Sequence, residues 1–215
     1  MSYIPWYITL TRLIIPFSVL RFPLLGILAA MFADGADWII IGVTSLKMDV
    51  AYQNWDKAMD LYSFLFIVLV VWAWQDIWAK RMALGLFGYR VIGDILFWIT
   101  KWRPIFLFFP NVFENFVVLC LIIFWWSKAR KLNLDRTQKA VMLGILIIPK
   151  IFQEYFQHYL GLQPWEIFSF CSWLGIKGTV VIYLDPLLWV VLLYAIPMAG
   201  FLLYIRKNMR LTSKK

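Results

Sequence analysis

Long uninterrupted runs of apolar residues recur along most of this 215-residue chain, and they leave few folds open to it. The hydrocarbon core of a bilayer is crossed by about twenty helical residues, and inside it a backbone has to satisfy its own hydrogen bonds. Some five to seven stretches of that kind can be placed here, with about six as the working count. Composition agrees, since 63% of the residues are hydrophobic and 15% are charged, far from the balance of a water-soluble domain. The fold expected is all-α: a polytopic integral membrane helical bundle with about six transmembrane helices. No repeat, low-complexity linker or second domain interrupts the pattern, so residues 1–215 read as a single membrane-embedded helical domain.

The first apolar stretch runs from Trp6 to Ile41 and is broken by Pro16, Pro23 and the acidic pair Asp34 and Asp37. It is long for one span and short for two. A polar interval, Thr44 to Lys57, precedes a strong span from Met59 to Trp78 that Lys80 and Arg81 close. Leu84 to Thr100 reads either as a packed span or as an interfacial helix. Ile105 to Trp126 is a clear span interrupted by Pro110 and Asn111, and Ala140 to Leu160 turns from apolar to polar in its second half. The final span runs from Pro186 to Tyr204. Basic residues between Lys128 and Lys139, and again from Arg206 to Lys215, mark both segments as cytoplasmic. The N-terminus has no charged leader followed by a small-residue cleavage site, so the first span is expected to be retained. The location expected is the plasma (inner) membrane of a prokaryote, with membrane lipid as the surrounding partner.

The formal net charge of +9 does not point to nucleic acid, because the cations sit between apolar runs and in the tail, where anionic headgroups lie. Thirteen Trp, ten Tyr and eighteen Phe suit the headgroup level more simply than a ligand box. Cys120 and Cys171 have no metal or redox spacing and read as buried free thiols.

Carboxylates in such a chain require a reason, because ionisable groups are costly in membrane segments. Asp34 and Asp37 are three residues apart and Asp56 and Asp60 four apart, so each pair shares one face of a helix. If the two helices pack side by side, four carboxylates converge just inside the membrane edge. Their repulsion calls for cations, and two divalent metals would hold a diphosphate and polarise its bridging bond. The alternative is a solvated loop in which the acids pair with Lys47 and Lys57 and serve as polar helix ends. Asp49 reads as a loop residue in both cases.

At these residues the chain resembles the CDP-alcohol phosphotransferases, whose signature is D-x-x-D-G-x-x-A-R, then eight or nine residues, then G-x-x-x-D-x-x-x-D. Asp34, Asp37, Asp56 and Asp60 fall in register with its four aspartates, and Leu10 to Pro16, with Thr11, Arg12 and Pro16, is similar to the family's opening stretch. The resemblance covers about the first third of the chain. It implies that Asp34, Asp37 and Asp56 are metal ligands, that Asp60 is a ligand or the catalytic base, and that two Mg2+ or Mn2+ ions are the cofactors. It further implies phospholipid biosynthesis: transfer of a phospho-alcohol or phosphatidyl group from a CDP-linked lipid or alcohol to an acceptor alcohol, with release of CMP, by a homodimer. Lys47 and Arg90 are candidates for contacting the phosphates. Trp38, Ile41, Gly42 and Tyr52 stand where the family has Gly, Ala, Arg and Gly, and bulky side chains there obstruct the approach of a nucleotide to the backbone. That difference keeps open a second function: a catalytically inactive pseudo-transferase scaffold that binds lipid or a membrane-protein partner. A small transporter is a third, although inverted repeats are not evident. Counting spans back from the basic loop places the acids outside, whereas the family works from the cytoplasmic face.

Other polar groups have simpler readings. Arg90 and Asp94, one helical turn apart, form a buried ion pair or else free Arg90 for a phosphate. Asn111, Glu114 and Asn115 require partners within an apolar span. Glu154 and His158 lack the second His of a zinc helix and read as an internal pair or part of an interfacial helix. Walker, dinucleotide and nucleophile-elbow motifs are missing, which removes P-loop, Rossmann and α/β-hydrolase enzymes.

Overall fold

The computed structural model describes residues 4–43, 50–128, 131–162, 164–178 and 181–212, with the side chains of 37–43, 50–51, 183 and 207–212 outside that description. Among the described residues every regular element is a helix. The chain forms two compact units, Met1–Lys101 with Phe113–Leu132, and Trp102–Val112 with Asn133–Lys215.

The first unit begins with α1 (Trp6–Ile14) and α2 (Phe17–Arg21), separated where Pro16 withholds a backbone donor. Pro23 opens α3 (Pro23–Val43), which turns back along α2. Their approach requires glycine at position 26, where an added Cβ would lie 2.5 Å from the Val19 nitrogen. The helix α4 (Val50–Trp72) runs alongside α1 and α2: Tyr62 donates to the Leu13 carbonyl at 3.2 Å, and the rings of Phe66 and Phe17 meet at 4.9 Å.

Where the sequence suggests one span from Met59 to Trp78, the helix stops at Trp72 and α5 (Ile77–Thr100) starts after a short turn. The cause is Asp76, whose side chain accepts from the Ala79 nitrogen at 2.8 Å and so caps a new helix. Its other oxygen accepts from the Leu132 nitrogen at 2.6 Å, which ties the loop after α7 (Phe113–Ser127) to the same turn. At its far end α5 returns to the start of α4, with the Lys101 ammonium donating to Asn54 at 3.0 Å. The helix α7 packs its rings in sequence against neighbours on α4, α5 and the turn between them: Phe113 on Phe64 and Phe87, Phe116 on Trp78, and Phe124 on Trp74. Ile27, Phe64, Ile67, Val71, Phe97 and Leu119 complete a buried apolar core.

In the second unit, α6 (Ile105–Phe108) precedes α8 (Arg136–Glu154), which opens on a capping box between Asp135 and Gln138 and continues into a π-helical turn, Tyr155–Leu160. Two short helices follow, α9 (Pro164–Ile167) and α10 (Phe170–Trp173). Asp185 anchors the second of these by accepting from the Ser169 hydroxyl and, at 2.8 Å, from the Cys171 nitrogen. It lies on α11 (Val181–Val190), which passes through a second π-helical turn, Val191–Ala195, into α12 (Ile196–Thr212). Among the described residues three stretches are long and apolar enough to cross a membrane: Ile77–Thr100, Ile105–Ser127 and Leu184–Arg206.

Candidate functional site

A concentration of charge lies where α1, α3 and the first half of α4 meet. Helical spacing puts Asp56 and Asp60 on one face of α4, and the packing of α3 against α4 brings Asp34 to them. One oxygen from each of the three carboxylates lies within 4.8 Å of the others. Three oxygens at that separation can supply part of the oxygen shell of a hard divalent cation. The site is graded in access: side-chain exposure is 50% for Asp34, 17% for Asp56 and 11% for Asp60, so it opens on the Asp34 side.

The protein's own cations also occupy this site. Arg12 comes from α1 with its side chain almost fully buried, pairs with Asp34 through one guanidinium nitrogen and with Asp60 at 2.7 Å through the other, and lies 3.7 Å from Asp56. Lys57, adjacent to Asp56, bridges it at 2.8 Å and Asp60 at 2.9 Å. Among the described residues, three carboxylates against two cations leave one negative charge. The arrangement can therefore stand as a self-neutralised structural network, or admit a divalent cation in exchange for one of the internal partners. Both oxygens of Asp60 accept from cations, so its use as a base requires Arg12 or Lys57 to turn away.

Of the residues singled out in the sequence, Asp34, Asp56 and Asp60 are brought together. The Asp37 side chain and the whole of Lys47 and Asp49 fall outside the described residues, as does the Trp38 side chain. Arg90 is buried on α5 and pairs with Asp94 at 3.3 Å, and its charge lies within electrostatic range of Lys57 and Asp60. Tyr52 is buried against Ile8, with its ring 5.8 Å from that of Trp55. In the second unit a Glu154 carboxylate oxygen lies 3.0 Å from His158 Nε2 and the other lies 3.4 Å from the Lys150 ammonium.

Spacing alone did not bring Arg12 into the site. It was legible only as one letter of a leader stretch, although an arginine within an apolar helix is itself a signal of a buried partner. No protein-family model, curated protein or solved structure matches this chain.

Proposed function

We propose that this chain is a polytopic integral membrane protein of the CDP-alcohol phosphotransferase type, with Asp34, Asp56 and Asp60 as the core of a divalent-cation site. The observation that supports this most is the convergence of three carboxylates from the consecutive helices α3 and α4, close enough to share a cation and open on one side. Bound Mg2+ or Mn2+ would supply Lewis-acid polarisation of a diphosphate. The chain's own residues have the other tasks. Asp34 and Asp56 would hold the cations, Asp60 accepts the proton of an acceptor alcohol once one of its ion pairs opens, and Arg90, buried on α5 and paired with Asp94, adds positive charge for the phosphates once that pair opens.

The direct test is release of CMP from CDP-diacylglycerol by the purified protein with Mn2+ and a panel of acceptor alcohols. Wild type is expected to turn over and Asp56→Asn to lose activity by at least about a hundredfold, the scale of a lost general-base or electrostatic group. Equal turnover in the variant would refute the assignment.

A second reading has specific support. Tyr52 fills a position where the family has glycine, and it is buried in a cluster with Ile8, against which Trp55 packs. Arg12 and Lys57 already balance most of the carboxylate charge. Both features suit a pseudo-transferase that keeps the scaffold and gives up the nucleotide. CDP-diacylglycerol that neither binds nor turns over, in a protein that still binds Mn2+, would favour this reading.

A further inference from the structure

The first unit has a second polar feature at the opposite end from its carboxylates. From Asp60 to the end of α4 at Trp72 the helix rises about 18 Å. At that far end the Lys80 ammonium lies 5.6 Å from the Trp72 ring centroid and Lys128 lies beside Val70, Ala73 and Trp74, while Arg21, Arg81 and Lys131 neighbour this end along the chain, at the close of α2, in α5 and just beyond α7. The acid of this region, Asp76, is taken up by the backbone nitrogens of Ala79 and Leu132. The end of the unit therefore carries a strong positive excess.

A cavity of about 660 Å³ opens here between the start of α3 and the ends of α4 and α7. Leu24, Val70, Leu121 and Phe124 form its apolar wall, and Gln75 and Lys128 supply polar groups beside it. The volume is that of a site for a small amphiphile. An apolar cleft next to a cationic rim matches a molecule with a hydrocarbon arm and an anionic head. A soluble anion would leave the wall wet, and a zwitterionic lipid would bring its own cation to a rim already rich in positive charge.

We propose that this cavity docks an anionic phospholipid, its phosphate against Lys128 and an acyl chain along the apolar wall. The proposal rests on the membrane placement given above and not on the transfer chemistry, and recovery of the protein in the membrane fraction tests that placement separately.

The experiment uses full-length protein, delipidated in detergent. It reads lipid retained in native mass spectra and thermal stabilisation by phosphatidylglycerol, phosphatidylcholine or soluble glycerol phosphate. Wild type is expected to prefer phosphatidylglycerol. Lys128→Gln should reduce that preference about fivefold, the effect of one interfacial cation. Lys177→Gln, which removes the same charge from the second unit, should leave it unchanged. Should Lys128→Gln fold poorly, the three-ligand comparison on wild type and the charge-keeping Lys128→Arg still decide the matter. Equal retention of the two lipids, equal stabilisation by glycerol phosphate, or an undiminished preference in Lys128→Gln would overturn the proposal.

Discussion

Arg12 determines what the carboxylate cluster can be. One buried guanidinium reaches Asp34 and Asp60 on two different helices, and its fork geometry lets it do so through separate nitrogens. Removing one partner of a buried charge network leaves the others uncompensated, which typically costs about 3 kcal/mol or more. Arg12→Ala is accordingly expected to lower the apparent melting temperature in metal-free buffer. If the triad takes divalent cations, millimolar Mn2+ should restore more stability to this variant than to wild type, since the arginine no longer competes. A thermal-denaturation series with and without Mn2+ checks both parts; a variant as stable as wild type in chelator would show that Arg12 does not hold the cluster. At this scale the spacing of Asp56 and Asp60 was readable because it depends only on the helical repeat. The arginine's part was not, because its partners lie 22 and 48 residues away and only packing brings them together.

At the scale of elements, the boundary between α4 and α5 illustrates how a single side chain overrides hydropathy. Residues 59–78 read as one apolar run, yet Asp76 ends the first helix's territory by capping the second and by binding the Leu132 nitrogen. Hydropathy is blind to this, since an Asp near the end of an apolar run looks like any other interfacial charge. Asp76→Ala removes a cap and leaves a buried backbone donor at Leu132 without this acceptor, so a loss of about 2–3 kcal/mol is expected. The readout is thermal melting together with hydrogen exchange, which should rise at the first turn of α5 and in the loop at Leu132. Unchanged exchange at both places would mean that the two bonds do not define this corner. Elsewhere the sequence was a fair guide to elements: the breaks at Pro16 and before Pro23 fall where a missing donor dictates. The π-helical turns after Glu154 and Val190 carry no such marker.

For the whole molecule, the all-helical class expected from the apolar runs is found among the described residues, three stretches of which have the length and hydropathy to cross a bilayer. The helix α4 shows why the working count of about six does not follow from hydropathy alone. It is 23 residues long, but its first half holds Asp56, Lys57 and Asp60. Charge pairing lets that segment remain helical and partly buried without being uniformly apolar. The first unit thus has its carboxylates at one end of α4 and Lys80 and Lys128 at the other. The carboxylate end is expected to take up divalent cations. The measurement that tests it most directly is the shift in melting temperature of the detergent-purified protein on titration with Mn2+, for wild type and Asp56→Asn side by side. A ligand that binds only the folded state at a hundred times its dissociation constant stabilises by about 2.7 kcal/mol, well within reach of such a measurement. A saturable rise in wild type that is lost in Asp56→Asn is the predicted result; no rise in wild type, or the same rise in both, would contradict the claim and leave Asp34, Asp56 and Asp60 as partners of Arg12 and Lys57 alone.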